Sequence, residues 1–350
     1  MNKLLIGTAA AALFTVPAAA GPIAVTVGGY MNSMFYSTDV DTDTYGDDYF
    51  LEDGEIIIKG KGSNGGLTYG FQVQIENSDD GDATDEHYAF VQGDFGKVII
   101  GGENAVADQV TVSAPKFLGW KTYDNNFETW KDTVGYKKPL VGNEDLSKDS
   151  AKLSYYTPKI NGLQLGVSWT PNTQETSGPS MNLDKVGDSD YEDVMSYGVK
   201  YTGNMGGSKV KLSYSYEEGD SNDRSKDAEG SSFGINVSNG PWEIGGTFYE
   251  AEDKSKEFNG VDGYDIETSH YGVQYKLSKN TKIGFAIHDQ ENSNYEGVKQ
   301  SDTEITVVGG SYKIGPGAKL TFSVEDAELD RVSGTDVDAD FIGVGLLLKF

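Results

Sequence analysis

Hydrophobic and polar residues alternate one by one along most of this chain, in runs of about ten residues. From Leu67 to Glu76, Leu, Tyr, Phe, Val and Ile alternate with Thr, Gly, Gln, Gln and Glu, and residues 163–169 show the same pattern. Side chains of a strand point alternately to its two faces, so each run predicts a strand with one apolar face. The pattern recurs at 210–216, 271–277, 283–287 and 320–324. From residue 21 onward the chain contains about sixteen such segments.

The connectors between these segments are alternately short and long. The short ones are rich in Gly, Asn and Pro, the residues of tight turns. They lie at 62–65, 94–96, 158–162, 203–207, 239–241, 278–280 and 315–317. The long ones lie near 37–53, 76–86, 103–149, 171–193, 217–229, 250–267, 289–304 and 325–340. Short turns at one end and long loops at the other predict an all-β, up-and-down antiparallel barrel.

The length and the polar face of the strands favour a barrel that spans a membrane. A run of about ten residues suits a tilted strand that crosses the hydrocarbon layer. Strands of a soluble sandwich are nearer five or six residues long, and their polar face should be charged. Here the polar face carries mainly Gly, Ser, Thr, Gln and Lys. This composition suits a water-filled interior.

The last twelve residues, 339–350, form an alternating strand that ends on an aromatic residue. Leu346, Leu348 and Phe350 share its apolar face. An exposed apolar edge strand invites aggregation in water, whereas a closed barrel has no edge and can turn this face to lipid. A buried sandwich strand is the alternative. The stretch resembles the C-terminal strand of bacterial outer-membrane β-barrels, which their assembly machinery recognises, so these three residues are the candidate closure and assembly signal.

The beginning of the chain predicts export. Lys3 precedes an apolar run at 4–16 and then Pro17-Ala18-Ala19-Ala20, the order found in secretory signals. We expect a signal peptide at residues 1–20, cleaved after Ala20, and an outer-membrane barrel at 21–350. The chain has no cysteine, which excludes disulfides, thiol catalysis and thiolate metal sites.

Acidic and basic residues are distributed differently between the long and the short connectors. The net charge of -27 argues against a nucleic-acid partner. All acidic residues except Glu55, Asp94 and Glu243 lie in the long connectors, while most lysines outside them lie near the short ones. Acid at the mouth concentrates cations, and lysines at the other end oppose this, so a weak cation preference is expected.

Three stretches carry a resemblance to a known family. They are 24–33 (AVTVGGYMNS), 155–169 (YYTPKINGLQLGVSW) and 341–350 (FIGVGLLLKF). The chain resembles the sixteen-stranded general-diffusion porins of Gram-negative bacteria, of the alphaproteobacterial type. The resemblance implies a homotrimer in the outer membrane, in contact with lipid and lipopolysaccharide, that lets small hydrophilic solutes diffuse through without a cofactor.

The longest connector, 103–149, is the candidate constriction. Connections beyond about 15 residues are usually functional, and this one is rich in aromatic residues. The resemblance implies that this third long loop folds into the lumen, with acids of the loop facing basic groups of the wall. The candidate acids are Glu103, Asp108, Asp124, Glu128 and Asp132, and the candidate opposing bases are Lys59 and Lys152. The clustered arginines of the family are missing, since the only arginines are Arg224 and Arg331, both in long connectors.

Two other functions remain open at this point. Trp120, Tyr123 and Trp130 would form a stacking slide in a sugar-selective channel, or would anchor the loop to the wall. A non-conducting surface or adhesive barrel would use its acidic loops instead. A hydrolase would need a histidine as base, but His87, His270 and His288 show no oriented third partner in the sequence.

Calcium is a further alternative for the first long connector. Asp39, Asp41 and Asp43 have the spacing that begins an EF-hand loop, whose ligands are carboxylates. Thr44 stands where such a loop needs Gly. The favoured interpretation is a solvated acidic loop, with no metal site.

Overall fold

The computed structural model describes residues 14–16, 23–41, 48–77, 84–119, 130, 134, 146–173, 191–221, 227–258, 261–294 and 296–350. Within these ranges the chain forms strands and one short helix. They are β1 (Phe14–Val16), β2 (Ala24–Val40), β3 (Asp48–Asn64), β4 (Leu67–Glu76), β5 (Thr84–Gly93), β6 (Gly96–Gly102), α1 (Val106–Val110), β7 (Ala151–Tyr156), β8 (Leu163–Asn172), β9 (Tyr191–Met205), β10 (Ser208–Ser221), β11 (Asp227–Asn239), β12 (Trp242–Phe258), β13 (Val261–Lys276), β14 (Thr281–Asn294), β15 (Lys299–Gly315), β16 (Ala318–Arg331) and β17 (Val337–Lys349).

Strands β2 to β17 form one closed antiparallel ring, which confirms the predicted sixteen-stranded up-and-down barrel. Each strand pairs with its neighbour in sequence, and β17 returns to pair with β2, where Leu347 lies opposite Asn32. The backbones of Gly29 and Phe350 exchange two hydrogen bonds of 3.0 and 3.1 Å at this seam. Strand β1 lies outside the ring and pairs with the start of β2.

The seven predicted short connectors are all present as tight turns. Two of them, Gly65-Gly66 and Gly206-Gly207, are two-residue hairpin turns in which both residues have positive φ, at 58° and 83° and at 56° and 83°. A side chain is strained at such angles, and glycine avoids this cost. The turn chemistry read from the sequence therefore sets the strand boundaries at this end.

At the other end the strands are longer than predicted, and the boundaries drawn there were wrong. Strands β2, β3, β12 and β15 each have 17 residues, and β16 runs on to Arg331. The segments at 217–229, 250–267, 289–304 and 325–340 are mostly paired strand. These segments are acidic, and outward carboxylates are compatible with strand pairing beyond the lipid because they stay in water.

The outer face carries the apolar band that a barrel turns to lipid. Side chains such as Ile56, Ile100, Phe233, Ile244 and Ile342 are exposed there. In β16 the band ends at Val324, and the outward residues beyond it are acidic. No helix among the described residues is long and apolar enough to cross a membrane.

The inner face is less polar than predicted. On one side of the ring it carries a buried apolar patch, whereas the sequence predicts a face of mainly Gly, Ser, Thr, Gln and Lys. From the wall, Ile305, Val307, Leu329, Phe341 and Leu347 contribute to the patch. The reason is that this part of the wall does not face water: residues of the third long loop cover it.

Candidate functional site

The third long loop begins at Glu103, directly after β6, and lies against the inner wall. Its helix α1 is held through its backbone. The amide of Val106 donates to Oγ of Ser168 at 3.2 Å, and the amide of Ala107 donates to Oγ of Ser196 at 2.9 Å. The first amides of a helix have no partner within the helix, so these inward serines of β8 and β9 satisfy them.

Serine and threonine hydroxyls of the wall continue to hold the loop beyond α1. The amide of Val112 donates to Oγ of Ser213 at 2.8 Å, and its carbonyl accepts from Oγ1 of Thr247 at 2.9 Å. Farther round the ring, Oγ of Ser311 donates to the carbonyl of Phe117 at 2.7 Å. Because these bonds go to the loop backbone, the described part of the loop is fastened along the wall from β8 to β15.

Inward glycines make room for this approach. A Cβ on Gly198 would lie 2.5 Å from Cγ2 of Val110, and one on Gly234 would lie 2.1 Å from the carbonyl oxygen of Val112. Real Cβ atoms do not approach that closely, so a larger residue would displace the loop. We call the inward serines, threonine and glycines of β8 to β15 the docking track. Its members are Gly166, Ser168, Ser196, Gly198, Ser213, Gly234, Thr247, Gly284, Gly309 and Ser311.

Apolar side chains anchor the middle of the loop. Phe117, Leu118, Trp130 and Val134 are fully buried against the apolar patch of the wall. The indole Nε1 of Trp130 donates to Oε2 of Glu325 at 2.8 Å. A buried carboxylate is stabilised by such a charge-assisted bond, so one polar contact orients the apolar anchor.

The two inward histidines belong to the same packed region. His270 and His288 lie opposite each other on β13 and β14, with ring centroids 4.6 Å apart. The ring of His288 also lies 5.0 Å from that of Trp130. Both histidines are fully buried. Their place is in the packing around the loop anchor.

The end of the loop is tied back to the wall near its beginning. Leu146 is buried with Tyr191 and Val194 of β9, and the amide of Ser147 donates to Oε1 of Glu217 at 3.2 Å. The ammonium of Lys152 donates to the carbonyl of Glu103, and to that of Lys148 at 2.7 Å. Lys152 therefore joins the two ends of the loop.

Opposite charges occupy the two ends of the inner face. Towards the long loops, Glu55 accepts from the hydroxyl of Tyr30 at 3.2 Å, and Glu86 accepts from Nδ2 of Asn104 at 2.6 Å. Towards the short turns, most inward charges are ammonium groups on the strands, and Glu243 is an exception that accepts from Asn236 and Gln274. Register places Lys59, Lys97, Lys200, Lys211, Lys282, Lys319 and Lys349 there. The interior is thus acidic at one mouth and basic at the other.

A sixteen-stranded ring with its third long loop fastened inside it is an architecture that few protein families share. The family model described as Gram-negative porin matches residues 7–331. The chain belongs to the Gram-negative porins. This family consists of outer-membrane diffusion channels without enzymatic activity. No curated protein sequence matches this porin.

Solved structures share the fold of the porin at low sequence identity. The outer membrane channel DcaP of Acinetobacter baumannii superposes with a TM-score of 0.69 at 12% identity, over 96% of this chain and 99% of the other. The anion-selective porin from Comamonas acidovorans gives 0.65 at 16%, over 94% and 100%. OmpT of Vibrio cholerae, in a trimer form, gives 0.64 at 15%, over 94% and 100%. At these identities the likeness concerns the fold alone.

Only some of the predicted constriction residues are among those that the structure of the porin describes. Glu103 and Asp108 are buried at the start of the loop, and Lys59 is exposed on the inner face of β3. Lys152 is buried and bonded to loop carbonyls. Trp130 is buried in the position expected of an anchor. The candidates Asp124, Glu128, Asp132, Trp120 and Tyr123 lie outside the described residues.

The remaining predicted residues lie at the rim and at the seam. The amide of Asp338 donates to Oδ1 of Asp41 at 3.1 Å, next to the exposed Asp39, while Asp43 lies outside the described residues. Among the residues described, no group of three or more His, Asp or Glu side chains is arranged to hold a metal ion. At the seam, Leu348 and Phe350 are exposed on the outer face, and Leu346 is partly buried.

The docking track was not predicted from the sequence. Its signal was present, because inward positions of consecutive strands carry Gly and Ser in 166–168, 196–198 and 213–215. These small residues were interpreted as the lining of a water-filled lumen. Small inward side chains are equally compatible with a chain segment lying on them, and the sequence does not distinguish the two.

Proposed function

We propose that this porin forms a channel for passive diffusion of small hydrophilic solutes and ions, with a weak preference for cations and no cofactor. The observation that carries the proposal is the third long loop, fastened to the inner wall by backbone bonds such as Val112 to Ser213 at 2.8 Å. A loop whose described residues lie against the wall would narrow the lumen of the ring. Solutes are then selected by size and by the charge of the interior.

The cation preference rests on the acidic end of the interior. Glu86 and Glu103 lie on the inner face, towards the long loops, and acidic residues dominate those loops. Their field raises the local cation concentration within a screening length of about 8–10 Å. The lysines near the short turns oppose this field, so the preference is weak.

We further propose that the porin is a homotrimer in the outer membrane. The trimer form of the Vibrio cholerae protein supports this, together with the apolar outer face that includes Ile342. The outward carboxylates above the apolar band would meet lipopolysaccharide, with divalent cations such as Ca²⁺ between them and its phosphates. The C-terminal strand would be the signal for the assembly machinery.

Single-channel recording of the refolded protein in a planar bilayer tests the proposal. The expected result is large conductance steps that close in threes, with a mildly cation-selective reversal potential under a KCl gradient. Deletion of 120–129 should enlarge the steps. A folded barrel without conductance would contradict passive transport, and small steps blocked by a neutral sugar would indicate a sugar-selective channel instead.

A further inference from the structure

A pocket lies inside the barrel between α1 and the short turn that joins β7 to β8. Its volume is about 590 Å³. This is within the range of about 300–1,000 Å³ typical of small-molecule sites. Gln109 and Val110 of α1 and Glu103 border it on one side, and Thr157 and Pro158 of the turn border it on the other. Residues of the loop and of the wall together line the pocket.

Three ammonium groups line the pocket, from Lys97, Lys159 and Lys200, against the single carboxylate of Glu103. Lys97 lies on β6 and Lys200 on β9. Three strand spacings of about 4.8 Å put their backbones roughly 14 Å apart along the wall, so they flank the pocket on opposite sides. Such an arrangement attracts an anion and disfavours a cation.

Two of these lysines are held in place by neighbours. Nζ of Lys97 lies 4.9 Å from the ring centroid of Phe90 and 5.8 Å from that of Tyr88. Nζ of Lys200 donates to the carbonyl of Gln109 at 3.3 Å. A lysine that is already positioned loses less side-chain entropy when it binds a ligand.

The rest of the lining suits the carbon skeleton of an organic solute. The partly buried ring of Tyr88 borders the pocket, next to Ile99, Val110 and Tyr156, which are packed together and expose little surface themselves. Apolar and aromatic side chains with a few placed polar groups are the usual lining of ligand pockets. An inorganic anion would use the lysines but not this apolar surface.

We propose that the pocket binds small organic anions that carry carboxylate or phosphate groups, such as sugar phosphates and dicarboxylates. This deepens the proposed function, on which it rests, by naming a solute class that pauses in the channel. The site lies between the loop and the short turns. Organic anions arriving from the short-turn mouth therefore meet it before the loop, while inorganic-ion selectivity is set by the whole interior.

Titration calorimetry on the detergent-solubilised barrel measures this binding without requiring conductance. The probes are glucose 6-phosphate and glutarate, with glucose as the neutral comparison. Binding of both anions and not of glucose is expected. The double variant Lys97→Gln, Lys200→Gln should weaken binding by at least about tenfold, because it removes two charge-assisted contacts.

Lys313→Gln is the matched control, since Lys313 is an exposed inward lysine at the short-turn end of β15 and does not line the pocket. It should leave binding within about twofold of the unsubstituted protein. Lys200→Arg keeps the charge and should retain most of the affinity. If Lys313→Gln weakened anion binding as much as the double variant does, the binding would be due to diffuse electrostatic attraction and not to the pocket. Equal binding of glucose would overturn the anionic class.

The same probes in the bilayer separate the two proposals. Glucose 6-phosphate added on the short-turn side should produce brief interruptions of the current that the double variant lacks. A conducting barrel that binds neither anion in calorimetry would refute the pocket and leave the channel intact. A silent barrel that binds both anions through Lys97 and Lys200 would refute the channel and leave the pocket intact.

Discussion

The indole Nε1 of Trp130 donates a hydrogen bond of 2.8 Å to Oε2 of Glu325, joining residues that are 195 positions apart in sequence. Both side chains are buried, Trp130 completely. One belongs to the loop and the other to β16, so this contact fixes the middle of the third long loop to the far side of the barrel.

Replacing Trp130 by Phe should loosen that anchor. The change keeps an aromatic ring but leaves the buried carboxylate of Glu325 without this donor, at a cost of about 1.5–3 kcal/mol. We expect noisier single-channel current and a lower unfolding temperature in detergent. Trp242→Phe is the control, because Trp242 is exposed on the outer face. Quiet current in Trp130→Phe, identical to that of the control, would contradict the anchoring role.

Replacing Gly198 by Val should push α1 away from the wall. The new Cβ would lie 2.5 Å from Cγ2 of Val110, and a valine at 110 has little rotamer freedom with which to yield. Overpacking of this kind costs about 1–3 kcal/mol. The loop should move towards the lumen and lower the conductance.

Gly315→Val provides the comparison, because a Cβ on Gly315 meets nothing within 4 Å and the backbone there does not have positive φ. Its conductance should equal that of the unsubstituted channel. The docking track would lose its support if Gly198→Val conducted like Gly315→Val in a correctly folded barrel.

Deleting Phe350 should impair barrel closure. Its backbone exchanges two hydrogen bonds with Gly29 at the seam between β17 and β2. Refolding into detergent should become slower, and folded yield in cells should fall more steeply, because the terminal aromatic would also be the assembly signal. Phe350→Leu keeps both backbone bonds and isolates the role of the ring. If the folded yield fell equally in vitro and in cells, this would argue against recognition of Phe350 by the assembly machinery.

The outer face of the extended hairpins should make stability depend on pH. Glu328 lies beyond the apolar band of β16, and Glu304 and Asp338 lie directly opposite it on the neighbouring strands. Repulsion from Asp326 is the largest cause that raises the pKa of Glu328, followed by desolvation and by the other carboxylates.

A raised pKa in the folded state means that the folded barrel holds this proton more tightly than the unfolded chain does. The group therefore adds stability at low pH, and this contribution is lost as the pH rises through the folded pKa. Thermal unfolding in detergent should shift upward when the pH is lowered from about 7 to about 5. Glu328→Gln should reduce that shift, and Asp94→Asn, at a short turn, should not. Equal shifts in both variants would contradict the repulsion.

Strand length shows where local patterns misled the prediction. The segment after Val324 falls in a predicted long connector, yet Ala327 and Leu329 alternate there with acidic residues and point inward. A charged side chain indicates contact with water, but it does not indicate that the backbone lacks a strand partner. Only the register of β15, β16 and β17 shows that those carboxylates lie on a paired strand above the lipid.

The sequence by itself determined the barrel, its sixteen strands, the ends where turns and loops lie, and the unusual length of the connector at 103–149. These features depend on a period of two residues and on turn chemistry, which are local and survive in the linear pattern. Only the tertiary structure decided what the inward small residues do. Ser168, Gly198 and Ser311 touch the loop because the ring closes around it, and contacts between residues so distant in sequence leave no periodic signal.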